Sequence, residues 1–475
     1  MSRNDQSNLS EHLQLLYELG YSDLDVPYQT SGVHSNKRSQ GLDINHDIHF
    51  LDTLAIALTT GEPGDVFTAA LDKNKHVQLV LAKNGHPTSE DVAAANKLIS
   101  LLESPTITDV YDLFPFLYRR CGTNINKQIH SLHMSIQNTE LHNDFRLALQ
   151  TYVPLSDIHA EFPGAETILE MYGDAIPPFT IVLEDLVEMI TNETVHGLDA
   201  DNVSSSESTY AYLVILADAL ACSRFLKMLV NDSNFVNKDR KERVEKLKRR
   251  LGKVCQYLTS ITYLIPKAKR MFPIPHRWVM DTFPGTGEGD FDLCDNAYDA
   301  VSRGLDQLSL SPDTLDKLDK HFPFIVSNWA KHKTVHACVH AEIRIILHLG
   351  ISPNDHSIHP IGVGKCSCLC CVLWIESHNR IFGTRWMTNR SHSKPYANWA
   401  LPGAACPHAI EADGKSSIDE AVLEDVGIQL VDTLDSLFLG QKRILDESSD
   451  EEERSKRKEN LAAMAGLCRG SSSAR

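Results

Sequence analysis

The triplet His340-Ala341-Glu342 is followed, after residues 343–367, by Cys368-Leu369-Cys370-Cys371. This pairs a histidine and a carboxylate two positions apart with a C-x-x-C at a distance that can close on the same ion. Two thiolates and one imidazole give a Zn²⁺ ion three ligands, one short of a closed tetrahedral site; a catalytic zinc keeps that position for water. The glutamate beside the histidine is then placed to carry a proton. No other pattern in the chain is as specific.

The text around the pair reads as two helices and a strand. In Val339–Leu349, Ile343, Ile345, Ile346, Leu347 and Leu349 cover most of a helix, with Arg344 and His348 the polar exceptions. A helix apolar on nearly all sides is a buried one. His340 and Glu342 fall in its first turn, where free backbone N–H groups favour anions. His359–Gly364 reads as a strand and tight turn, and C-x-x-C then opens a second apolar helix, Cys371–Glu376. A second His-Ala-Glu at 159–161 has no C-x-x-C after it, and Pro163-Gly164 follows at once, so it reads as a turn. Cys366 and Cys370 fit no further C-x-x-C and read as packing residues. A closed Cys₂His₂ set with His336 is the competing metal reading. It needs the helix to start before His336, whereas Thr334–Val339 reads at least as well as a strand.

Outward from this region the chain of 475 residues has room for two or three domains. Its 42 % hydrophobic and 23 % charged content is that of a globular protein. The start is polar, unlike a signal peptide. The longest apolar run, Tyr210–Cys222, contains Asp218 and is too short to span a membrane. Eleven cysteines, four of them between 366 and 371, suggest a reducing, intracellular compartment and metal chemistry. A net charge of −17 argues against nucleic-acid binding over the whole surface.

Residues 1–270 read as a mostly helical region of unknown role, with helices near 11–19, 48–58, 89–102, 167–171, 180–190, 210–229 and 237–264. The only β-like run there is Val77–Leu81, before a Lys-Asn-Gly turn. The Pro/Gly/Asp-rich stretch Phe272–Asp292 reads as a linker. The zinc domain is expected over 271–412, with its motif core at 334–402 and the strand-like His321–Trp329 just before. A helical segment at 413–440 and a disordered charged tail at 441–475 complete the chain.

H-A-E followed by S-C-x-x-C resembles the cytidine deaminase-like superfamily. IGVGKCSCLCC and the downstream RSHSKPYANWALP are similar to its fungal Orientia-type (OTT) deaminase-like branch. The resemblance covers about Thr334–Pro402. It implies an α/β fold, a C-terminal three-layer α/β/α domain around a mixed sheet of about five strands, preceded by the large helical region. It further implies that His340, Cys368 and Cys371 hold one catalytic Zn²⁺ and that Glu342 shuttles protons. The reaction implied is hydrolytic loss of ammonia from cytosine or adenine. This chain departs from the general signature in having Ser367 where a proline precedes the first cysteine.

Between Ser377 and Ala400 stand Arg380, Arg385, Arg390 and Lys394, with no Asp or Glu, and Trp386, Tyr396 and Trp399 lie among them. Such a mixture suits a groove that tracks phosphates and stacks bases. Arg385, Trp386, Arg390, His392 and Lys394 are therefore the candidate substrate contacts, for a nucleotide or single-stranded nucleic acid. Lys238–Arg250, with eight bases and three acids, reads as an exposed helix face. Lys442-Arg443 and Lys456–Lys458 have bipartite nuclear-signal spacing, and Ser448 and Ser449 precede an acidic run. The expectation is a cytoplasmic or nuclear zinc-dependent nucleobase deaminase, off the membrane, with a possible protein partner for its helical region. The alternative is a non-catalytic RNA- or protein-binding module on a structural-zinc or degenerate deaminase fold.

Overall fold

The computed structural model describes residues 3–21, 38–73, 76–162, 165–173, 175–199, 202–231, 238–305, 309–350, 357–389, 391–412 and 414–438. The tail at 441–475, with its basic clusters and Ser448 and Ser449, lies outside the described residues, as does Arg390.

The centre is a mixed five-stranded sheet in the order β3-β2-β1-β6-β7. β1 (Phe67–Asp72) and β2 (Gln78–Lys83) form an antiparallel hairpin. β3 (His276–Trp278) adds parallel to β2, and β6 (Ile358–Val363) adds antiparallel to β1. β7 (Arg385–Thr388) runs parallel to β6 at the edge. A separate two-stranded ribbon joins β4 (Gly289–Asp292) to β5 (Thr334–Ala337).

The period-2 alternation of side chains gives the hairpin two buried faces. Phe67, Ala69, Leu71, Leu79 and Leu81 belong to one hydrophobic cluster, with α2 (Arg38–Leu58) and a helical block. Ala70, Val80 and Ala82 face the other cluster, with Ile361 and Val363. That second cluster holds α1 (Arg3–Glu18), α15 (Ala341–Leu349), α16 (Leu369–Phe382) and α17 (Ser417–Phe438). The sheet is thus the middle of three layers.

The block comprises α3 (Ser89–Glu103), α4 (Val110–Ile136), α5 (Thr139–Thr151), α6 (Ile158–Glu161), α7 (Glu166–Tyr172), α8 (Phe179–Thr194), α9 (Val203–Cys222), α10 (Arg224–Asn231) and α11 (Lys238–Met271). α12 (Ala297–Gly304), α13 (Pro312–His321) and α14 (Ile325–Lys331) follow.

α2 lies against β6 with no space between the two backbones. A Cβ on Gly362 would stand 2.0 Å from the Leu51 carbonyl carbon, and one on Gly364 would stand 2.3 Å from Thr59 Oγ1. Asp52 fixes the register, accepting from Val363 N–H at 2.7 Å and from Asn389 Nδ2 at 3.1 Å. The glycines of Ile-Gly-Val-Gly are therefore required by helix–strand approach.

Several sequence expectations change. A boundary at 270 does not separate the sheet, because β1 and β2 lie at 67–83 and pair with β6 and β3. Residues 84–275 sit between β2 and β3, so the core is split in sequence. Phe272–Asp292 is no free linker, since it supplies β3 and β4. His321–Trp329 is not a strand: α14 begins at Ile325, and Ile325 and Trp329, four apart, are both buried on one helix face. The expected helix at 210–229 breaks at Ser223, whose hydroxyl donates to Leu220 O and accepts from Leu226 N–H. No helix among the described residues is long and apolar enough to cross a membrane.

Candidate metal centre

Two helix N-termini bring the ligands together. His340 is the N-cap of α15 and Cys368 the N-cap of α16, each with extended backbone. Cys371 is the third residue of α16, so one turn returns it beside Cys368. The ligand atoms of His340, Cys368 and Cys371 all lie within 4.8 Å of one another, and all three residues are buried. His340 Nδ1 is 3.5 Å from Cys368 Sγ and 3.4 Å from Cys371 Sγ. A tetrahedral Zn²⁺ with its usual bonds to nitrogen and sulfur separates those atoms by about 3.5 Å. The donor set and spacing fit zinc.

Glu342 is 2 % exposed, and its Oε2 has no hydrogen-bond partner. His340 Nε2 is likewise buried and unpartnered. Burial raises the Glu342 pKa above the usual carboxylate value; His340 opposes the shift and Cys368 adds to it. Burial alone would also raise Cys368, but Cys371 and His340 more than offset it and hold the thiol well below its usual value. Burial lowers His340, while Cys368 and Glu342 carry its pKa net upward.

The surroundings come from distant parts of the chain. His340 provides no side-chain cap for α15; Asn84 Oδ1, just after β2, accepts from Ala341 N–H at 2.8 Å. Glu288 Oε1 accepts from Val339 N–H at 2.9 Å. Burial first, and then Cys368 and Glu342, push the Cys371 thiol well above its usual value, and the fully buried Trp399 side chain only opposes this. Gln6 of α1 holds that segment, donating to Trp399 O at 2.9 Å and accepting from Leu401 N–H at 2.8 Å.

The site sits beyond the C-terminal ends of the parallel pair β6 and β7. The chain leaving β7 runs back along the ligand loop: His392 N–H donates to Ser367 O at 3.1 Å, and Leu369 N–H donates to Lys394 O at 3.1 Å. Of the candidate substrate contacts, His392 and Lys394 are therefore beside the centre. Arg385 and Trp386 are not, because they start β7 opposite Ile358 and His359, at the far end of the strand. Trp386 is 2 % exposed and its ring lies tilted against His359 with centroids 4.8 Å apart, so it is a core residue.

His336 is not a fourth ligand. It lies on β5 with an exposed side chain, 2.8 Å from Asp290 Oδ1. His159-Ala160-Glu161 is the short helix α6, not a turn. Its Glu161 is buried and accepts from Tyr152 Oη and Leu155 N–H. Cys370 is buried and outside the ligand group, and Cys366 is half-buried.

Asn84, Gln6 and Trp399 escaped the reading of the sequence as parts of this site. Trp399 and the Lys-Asn-Gly turn were visible there, but nothing in their spacing tied them to His340.

A family model described as OTT_1508_deam-like deaminase matches residues 339–403. The matched stretch holds all three ligands, Glu342 and the returning segment 391–401. It supports a deaminase-like family for this part of the chain. No curated protein and no solved structure matches.

Proposed function

We propose that the chain is a zinc-dependent hydrolytic deaminase acting on a nucleobase, cytosine or adenine, within a nucleotide or nucleic acid. The observation that carries this reading is the buried cluster where His340, Cys368 and Cys371 converge, with Glu342 in the same first turn of α15 as His340. The deaminase family match over the same residues supports it.

His340, Cys368 and Cys371 would hold the metal. Bound Zn²⁺ supplies Lewis acidity that lowers the pKa of a water from 15.7 to about 7. Glu342, with one free oxygen and a raised pKa, takes a proton from water and gives it to the ring nitrogen beside the amino-bearing carbon. The water oxygen bonds to that carbon as its proton leaves. Glu342 then takes the second proton from the new hydroxyl and hands it to the amino group, so the C–N bond breaks, a carbonyl forms and ammonia departs. Burial of the pocket keeps bulk water from competing for that proton.

Deamination sequencing of mixed RNA and single-stranded DNA tests the reading. Wild type converts bases at defined positions and the Glu342→Ala variant converts none. Identical profiles from the two proteins would remove the proposal.

A further inference from the structure

α11 carries a run of bases that the fold uses unequally. Arg240 and Arg243 pair with Asp144, and Arg243 also reaches Glu140. Lys241 pairs with Glu245, and Arg250 donates to Ser131 O and Ser135 Oγ. These side chains tie the helical block to itself. Lys246, Arg249 and Lys253 are different: all three are exposed and form no ion pair among the described residues. At i, i+3 and i+7 they share one face, over about 10 Å of helix. Glu242, one turn earlier, ends the stripe.

A relay of contacts links the helix that carries the stripe to the ligand loop. One turn past Lys253, the Tyr257 hydroxyl accepts from Asn124 Nδ2 at 2.6 Å. Gly61 packs against Asn124, and a Cβ there would stand 2.6 Å from the Asn124 Cβ. Lys127 Nζ donates to Gly61 O at 2.7 Å, and Lys365 Nζ reaches Glu62 O at 3.5 Å. Lys365 is three residues before Cys368. From the other side, His392 has a pKa pushed down to about 4, first by burial, with Lys394 and Lys253 adding to it against Cys368. His392 itself is tied to the ligand loop by its N–H donating to Ser367 O at 3.1 Å, and Lys394 N–H donates to its Nδ1 at 3.1 Å. A chain of net charge −17 has gathered unpaired cations along one approach.

We infer that Lys246, Arg249 and Lys253, with Lys394 at the mouth, form a phosphate track for single-stranded nucleic acid whose target base enters the pocket at His340 and Glu342. The inference builds on the deaminase reading and sharpens its substrate class: a polynucleotide, held by its backbone outside the pocket, rather than a free nucleotide.

Binding is measured by fluorescence anisotropy with labelled single strands of about 12 nucleotides, RNA and DNA, across a salt series. All proteins carry Glu342→Ala, so turnover plays no part. The triple variant Lys246→Glu, Arg249→Glu, Lys253→Glu is expected to bind at least roughly tenfold more weakly. Its salt slope should fall by about 2, at about 0.7 per phosphate contact. A control triple at exposed lysines elsewhere, Lys97→Glu, Lys320→Glu and Lys331→Glu, should change neither quantity more than about twofold. The neutral triple to Gln guards against misfolding and should shift binding in the same direction by less.

Equal losses in the two charge-reversed triples, or no binding by the parent, would overturn the track. So would an equal loss for CMP and AMP, which would place the cations around a free nucleotide's phosphate. Absence of ammonia release from wild type would remove the deaminase reading instead and leave the binding result standing.

Discussion

Asn84 Oδ1 accepts a 2.8 Å hydrogen bond from Ala341 N–H, so a residue following β2 caps the helix that starts at His340. The two residues are 257 positions apart. The bond ties the hairpin in the first fifth of the chain to the candidate metal ligand. Asn84→Ala leaves an N-terminal N–H of a buried helix without its partner, at a cost of about 1 kcal/mol. It also frees the backbone next to His340. Zinc affinity should fall by roughly tenfold or more, the range for outer-shell partners, measured by chelator competition. An affinity equal to wild type would show that His340 is held by other contacts.

Gly362 tests the packing of α2 on β6. A methyl group there meets the Leu51 carbonyl carbon at 2.0 Å, and backbone cannot step aside as a side chain can. Gly362→Ala should reduce stability by about 3 kcal/mol, seen as a lower thermal midpoint and loss of soluble protein. Gly252→Ala on α11, with nothing within 4 Å of its Cβ, is the matched control and should be neutral or slightly stabilising. Parallel losses in both variants would contradict the packing account.

Asp91 joins the hairpin to the helical block. It takes Lys83 Nζ at 2.8 Å, the Arg120 guanidinium and Thr88 N–H at 2.9 Å, and is 2 % exposed. Burial raises its pKa, but Lys83, Thr88 and Arg120 more than offset this and bring it down to about 2. A depressed folded pKa means that the stabilisation is full above the unfolded carboxylate value near 4. It drains away as pH falls from there toward about 2. Wild type should therefore lose stability over that window more steeply than Asp91→Asn, in urea melts at several pH values. At neutral pH, Asp91→Ala should cost about 3 kcal/mol because it strands buried Arg120. Equal slopes for wild type and Asp91→Asn would show that Asp91 does not govern the acid limb.

Ser367 replaces the proline of the general deaminase signature, and its buried hydroxyl lowers the pKa of Glu342 against the dominant effect of burial. Removing that hydroxyl in Ser367→Ala should slow ammonia release by roughly tenfold, with zinc content and KM unchanged. A change in zinc content instead would make Ser367 a support of the ligand loop.

The site was legible in the sequence for a local reason. His340 with Glu342, and Cys368 with Cys371, are each set by one turn of helix, and helical periodicity is visible in a short window. The sheet was not. β1 and β2 are short buried strands whose partners β6 and β3 lie nearly 300 and nearly 200 residues away. No window links Ala70 to Ile361. α4 escaped because Pro115 and Gly122 interrupt its apolar pattern, although tertiary packing holds it helical over 27 residues. Trp386 and Arg385 misled because an aromatic beside a base reads alike on a groove and on an edge strand. Only the direction of β7 shows that they lie at the strand end far from the ligand loop. The helices of residues 84–271 read correctly as helices in several places, yet their role as an insertion into a split core depends on that same unseen pairing.

Zinc content and ammonia release, measured on the same proteins, decide whether the His340, Cys368 and Cys371 cluster is a catalytic metal site. Purified wild type, His340→Ala, Cys368→Ser and Glu342→Ala are analysed for zinc and for ammonia release from single-stranded RNA and DNA. The account predicts one zinc per chain in wild type and Glu342→Ala, none in the two ligand variants, and ammonia from wild type alone. Wild type without stoichiometric zinc, or Glu342→Ala releasing ammonia at the wild-type rate, would contradict it.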